Sequence, residues 1–209
     1  MRRPWAIALF VFAGGCEKAA PEPVAQRATG AISRSDLPPA AVVEDASRRR
    51  PTCLVGASKA APPAPAFSVD PRCPADPARG SPMVPVGHVS FPESPDAPRL
   101  EVELMLTNQH QERGLMYRKS LADDKGMLFV WSTPTVHTFW MHNTCIPLDM
   151  LFIDRENFIA GIVENAPTLN DEPRSVDCAA LYVLEVNAGW SRRHGVAPGQ
   201  RVVIEGVAR

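Results

Sequence analysis

From Leu100 onward, apolar and polar positions recur with the period of β-strands. Leu100–Leu106 (LEVELML) alternates, with Glu101 and Glu103 turned outward. Met127–Trp131 is continuously apolar and reads as a buried strand. Thr138–Thr144 alternates as a strand, placing Phe139, Met141 and Asn143 on one face and Thr138, Trp140, His142 and Thr144 on the other. Pro147 ends that strand, and a new one starts at Leu148, with Asp149 sharing a face with Leu151 and Ile153. Phe158–Val163, Tyr182–Val186 and Arg201–Glu205 complete the set.

Two short helices interrupt the strands. Thr107 or Asn108 caps the first, with Gln111 in capping-box position and Gly114 at its C-terminal end. The second runs from Trp190 to His194 and stops at Gly195. Short strands with turn signals between them predict a mainly β fold, a single compact sandwich or barrel-like domain with two short helices, rather than a βαβ sheet. About a hundred residues, 99–209, suffice for an independent core.

Composition separates that region from what precedes it. Sixteen of the 22 prolines lie between residues 17 and 98, a stretch that lacks apolar periodicity and reads as a disordered, extended tether. Residues 1–16 carry Arg2 and Arg3, an apolar run from Trp5 to Ala13, and then Gly14-Gly15-Cys16, the pattern of an export signal. Ala13-Gly14-Gly15-Cys16 resembles a bacterial lipoprotein box, which makes Cys16 the expected lipidated N-terminus; a plain secretory signal with an incidental cysteine is the other reading. Either way the chain is exported, and the lipid anchor would hold it to the membrane of the cell envelope. The net charge of −1 and the lack of a basic stripe argue against a nucleic-acid partner.

The chemistry-bearing residues are few. His137 and His142 point to opposite strand faces, so no metal site is expected. Cys145 with His142 has the elements of a nucleophilic pair, but four cysteines after Cys16 in an exported chain favour disulfides. Cys145–Cys178 and Cys53–Cys73 are the expected pairs. Asp149 reads as an anchor accepting backbone N–H groups from the Asn143–Pro147 corner. Glu164 and Asn165, at a strand end, suit ligand binding, and Trp140 is either core filler or a stacking platform.

The ordered half also resembles a known family, domain of unknown function 192. The resemblance rests on Arg113-Gly114-Leu115-Met116, Gly126-Met127-Leu128-Phe129-Val130, Phe139-Trp140-Met141, Asn143-Thr144, Ile146-Pro147-Leu148-Asp149 and Phe152-Ile153-Asp154. It continues through Glu164-Asn165-Ala166-Pro167 and Tyr182-Val183-Leu184-Glu185. Where family members often have Lys after Phe-Trp-Met, this chain has His142. The resemblance implies a small exported β domain and brings no established activity. The function expected, on the strength of the long Pro-rich spacer, is a non-catalytic binding module without a cofactor, presented from the envelope on its tether, its partner a small molecule or an envelope protein. The ligand-binding set is Trp140, His142, Asp149, Glu164 and Asn165. An envelope hydrolase using Asp149 and Glu164, or a structural or assembly protein, are the alternatives.

Overall fold

The computed structural model describes residue 51, residues 53–56, 69–78 and 80, and residues 82–207. These residues lie in one compact unit, and the expected lipidation site Cys16 falls outside them. Seven strands form one mixed sheet: β1 (Val86–Ser90), β2 (Leu100–Met105), β3 (Lys125–Val136), β4 (Leu148–Ile153), β5 (Ile159–Ala166), β6 (Ala179–Asn187) and β7 (Val203–Glu205). Their spatial order is β5-β4-β6-β3-β2-β1-β7. The two short helices are α1 (Asn108–Arg113) and α2 (Trp190–Arg193). The fold is thus mainly β, as the alternation predicts.

The ends of the sheet approach each other. Phe158 bridges Arg201, and the Ile159 and Val202 amides donate to the carbonyls of Gln200 and Asn157, both at 2.9 Å. Curling lets one face close on itself. Val89, Leu100, Val102, Leu104, Leu128, Leu151, Leu184 and Val186 fill that interior, with Phe91 and Trp190 packed among them. Alternation sends the other residues of the same strands outward. Met105, Met127, Phe129, Met150, Phe152 and Val183 form a second core there, covered by Leu115, Met141, Ile146 and Val176. Both faces are apolar, which is why β4 is buried at every position.

Several expectations are corrected by tertiary pairing. The sheet starts before residue 99, because β1 lies within the Pro-rich stretch. Gly87 makes this strand possible: a Cβ there would meet the Glu205 carbonyl oxygen of β7 at 2.6 Å. One βαβ-type unit is present after all, since β2 and β3 are parallel neighbours joined through α1. The expected strand Thr138–Thr144 is not one; only Phe139 bridges, to Arg174. Its alternation survives as packing, with Met141 buried and Trp140 54% exposed. Conversely β3 runs through Ser132-Thr133-Pro134, where a register shift between Val130 and Thr135 leaves Pro134 without a ladder hydrogen bond to supply.

The helix ends follow their sequence signals. Thr107 caps α1, its hydroxyl accepting the His110 N–H, and Gly114 closes it at φ 46° with its N–H on the His110 carbonyl. Gln111 does not complete a capping box. Its Nε2 donates instead to the carbonyls of Met105 (3.1 Å) and Val130 (2.8 Å), pinning α1 over β2 and β3.

The disulfides pair differently from expectation. Cys53 bonds Cys178 and Cys73 bonds Cys145, so each bridge joins the Pro-rich stretch to the sheet domain. Backbone contacts support both staples: Val55 N–H donates to Ala160 (2.7 Å) and Asp70 N–H to Cys145 (3.0 Å). Parts of the stretch read as a free tether are therefore a fixed cover on the outer face of the sheet. The bridges close loops of 125 and 72 residues, and in the chain-entropy model each stabilises by about 4–5 kcal/mol, less in sum because one loop is nested in the other.

Candidate functional site

The residues expected to bind a ligand separate into two groups. Asp149, Glu164 and Asn165 gather near the start of α2. Asp149 is fully buried on β4. Its Oδ1 accepts the N–H groups of Asn165 (2.9 Å) and Gly189 (3.0 Å), and its Oδ2 accepts that of Ser191 (3.0 Å). The anchor role read from sequence is correct in kind, but its partners are the α2 entry and the β5 end, not the Asn143–Pro147 corner. Asn165 reaches Asp149 through a left-handed backbone at φ 55°, a conformation asparagine tolerates well. Glu164 pairs with Arg192 at 2.7 Å, its side chain only 9% exposed. These carboxylates tie α2 to the sheet.

Trp140 and His142 form the other group. Their rings lie 5.1 Å apart, and His142 Nδ1 meets Asp171 Oδ1 at 2.8 Å. Cys145 is consumed by its bridge to Cys73, which removes the nucleophile reading. His137 turns away from His142 and stacks on Trp131 at 3.6 Å, its Nε2 donating to the Ala180 carbonyl oxygen at 3.0 Å. Burial holds its pKa below the ordinary value, so the ring is neutral at physiological pH. Among the described residues, no group of three or more His, Cys, Asp or Glu side chains is placed to hold a metal ion.

Between α1 and the Thr138–Trp140 segment lies a cleft of about 250 Å³. Its walls are Phe129 and Trp131 of β3, His137, Phe139 and Trp140 of the following segment, and Gln111–Met116 of α1 and its exit. The rings brace one another: Phe139 stands edge-on to Phe129 at 5.0 Å and to Trp131 at 6.2 Å. Glu185 of β6 also lines this cleft. It sits mid-sheet, with Met127 and Met150 as its cross-strand neighbours, and is 4% exposed. Among the described residues no cation or hydrogen-bond donor meets its carboxyl, and burial pushes its pKa up to about 8. It is a neutral acid at pH 7, unpaired at the base of an aromatic cleft.

The charged groups nearby do not answer it. Arg113 is committed to Asp76 (2.7 Å) and the Gly80 carbonyl (3.0 Å). Glu112, exposed at the cleft, adds negative charge. A larger hollow of about 430 Å³ beside Val130, Pro134 and Leu181 has, among the described residues, Arg155 as its one charged lining residue and no comparable buried acid.

Sequence reading missed Glu185. A charged residue in a strand ordinarily marks the solvent face, and only its position inside the otherwise apolar run Leu181–Val186 signals otherwise.

A curled mixed sheet stapled by two disulfides defines a small β domain of an oxidising, extracytoplasmic compartment. Residues 91–204 match the DUF192 family, described as an uncharacterized ACR, and the chain belongs to that family. Two crystal structures are similar. One, of a proposed transcription regulator from Sinorhizobium meliloti 1021, is 36% identical; the match covers 59% of this chain and 98% of that one, with a TM-score of 0.56. The other, of a protein of unknown function from Novosphingobium aromaticivorans DSM 12444, is 34% identical over 67% of this chain and 94% of that one, with a TM-score of 0.51. No protein of curated function matches the chain. Among the described residues no helix is long and apolar enough to cross a membrane.

Proposed function

We propose that the domain is a non-catalytic binding module of the cell envelope, held there by a lipid on Cys16, which takes a small molecule in the cleft above Glu185. The observation that carries this reading is the unpaired, buried Glu185 carboxyl at the base of an aromatic-walled cleft. A buried polar group without a partner destabilises a fold, and a concave apolar site with one convergent polar group is the usual form of a small-molecule site. Trp140, half exposed at the rim, supplies a surface for stacking.

The hydrolase reading loses support because Asp149 is saturated by three backbone donors and Glu164 is neutralised by Arg192. A transcriptional role, suggested by the description of the Sinorhizobium protein, is not adopted, since disulfides and a net charge of −1 fit an exported chain better than a DNA-bound one.

Saturation-transfer NMR of the mature, oxidised protein against envelope metabolites tests the binding reading. A ligand whose signal is lost in Trp140→Ala, with the fold intact, supports it. If no small molecule transfers signal while cross-linking captures one envelope protein repeatedly, the domain is an assembly component instead. Mass spectrometry of the mature N-terminus tests the anchor: a diacylglyceryl Cys16 is expected, and an N-terminus elsewhere removes it.

A further inference from the structure

The cleft's charge and shape specify more than a generic ligand, on the premise that it is a binding site. Three features converge. The Glu185 side chain is 4% exposed and lines the cleft, and among the described residues no cation or hydrogen-bond donor meets its carboxyl. The walls around it are π-faces and edges: Trp131, Phe139 and Trp140, with His137 stacked on Trp131. The remaining charges leave the field negative, because Glu112 is exposed at the cleft, Arg113 is engaged by Asp76 and His137 is kept neutral by burial.

We infer that the cleft recognises a small organic cation, an alkyl- or arylalkyl-ammonium group, with Glu185 as its counter-ion and Trp131, Phe139 and Trp140 enclosing it.

The chemistry fits at both ends of such a ligand. An ammonium group carries three donors and a full charge, and so satisfies a carboxylate through charge-assisted hydrogen bonds, the stronger class in a desolvated site. Its carbon-bound remainder packs on the rings, where cation–π attraction to tryptophan is strongest. In the empty cleft Glu185 stays protonated, which avoids a buried bare charge. As the cation enters, the carboxyl gives its proton to solvent, and the ion pair replaces a neutral acid. A neutral ligand gains from the rings alone and from one hydrogen bond to a carboxylic acid. An anion would meet Glu112 and an ionisable Glu185 with no free cation among the lining residues described.

Isothermal titration calorimetry of the oxidised, mature protein at pH 7 tests this with benzylamine, its neutral isostere benzyl alcohol, and N-acetylglucosamine. Benzylamine should bind about tenfold or more tightly than benzyl alcohol, and Glu185→Gln should abolish that preference. Glu185→Gln keeps the size and neutrality that the side chain has in the empty cleft, so it should fold; near-UV circular dichroism verifies this. If benzyl alcohol or N-acetylglucosamine binds as well as benzylamine, or Glu185→Gln keeps the preference, the cation is the wrong class while the cleft remains a binding site. If none of the three binds the wild type, the cation inference falls, and the NMR screen above decides separately whether the cleft binds anything.

Discussion

Replacing Asp149 probes the joint between α2 and the sheet. The carboxylate accepts three backbone N–H groups and has no exposed surface, so no water stands ready to replace it. Asp149→Ala orphans all three donors. An unsatisfied buried donor costs about 1–3 kcal/mol, and partial relaxation of the α2 entry brings the total to about 3–5 kcal/mol. A domain of this size loses about 2–4 °C of melting temperature per kcal/mol, so Asp149→Ala should melt about 6–20 °C below wild type. Asp149→Asn is more instructive. Its amide oxygen, placed as Oδ1, keeps the bonds to Asn165 and Gly189, while its NH₂ opposes the Ser191 N–H. One interaction of three is lost together with the charge, a penalty of about 1–3 kcal/mol. Thermal unfolding under oxidising conditions reads both values. Near-UV circular dichroism reports whether Trp190, which is fully buried and donates to the Asp123 carbonyl, has loosened with α2. An Ala variant melting within about 2 °C of wild type, or an Asn variant as damaged as Ala, would refute the anchor.

Three further outcomes are expected. Non-reducing peptide mapping should recover Cys53–Cys178 and Cys73–Cys145, and reduction should lower the melting temperature; a Cys145–Cys178 peptide would contradict the placement of residues 53–56 and 69–78 against the sheet. Glu185 is raised from its ordinary 4.5 to about 8 in the folded state, so the native protein holds a proton that the unfolded chain releases between those values. The Glu185 contribution to stability should therefore be fully present below about pH 4.5 and be lost as pH rises toward 8, and Glu185→Gln should flatten this part of the slope and melt higher than wild type at pH 8. Gly161→Ala should destabilise by about 1–3 kcal/mol in urea unfolding, because the added methyl would lie 3.0 Å from Val176 and 3.2 Å from Val55, pressing the stapled segment off β5.

What the chain discloses by itself is governed by how local the cause is. β2, β4 and β6 were legible because their alternating or continuous apolar runs are decided within the strand, and α1 because Thr107 and Gly114 act on adjacent turns. β1 was hidden among prolines: Val86-Gly87-His88 has little intrinsic strand signal, and it pairs because β2 and β7 flank it. Thr138–Thr144 misled in the opposite sense, since it has the pattern of a strand but only the single bridge at Phe139. Disulfide connectivity is non-local by nature, as four cysteines allow three pairings and only the placement of residues 53–56 and 69–78 against the sheet selects one. The candidate site was half legible. Trp140 was visible as an aromatic at a corner, but the meaning of Glu185 depends on α1 and the Phe139 segment covering that face of β6.

The decisive quantity is the ionisation of Glu185. Carbon-13 NMR of its side-chain carboxyl, assigned by comparison with Glu185→Gln, follows that titration directly in the ligand-free protein. A midpoint near 8 is predicted, the mark of an unpaired acid at the base of the cleft. A midpoint in the ordinary carboxylate range near 4.5 would mean that water or a basic group already satisfies it, and the cleft would lose the feature that singles it out as a site.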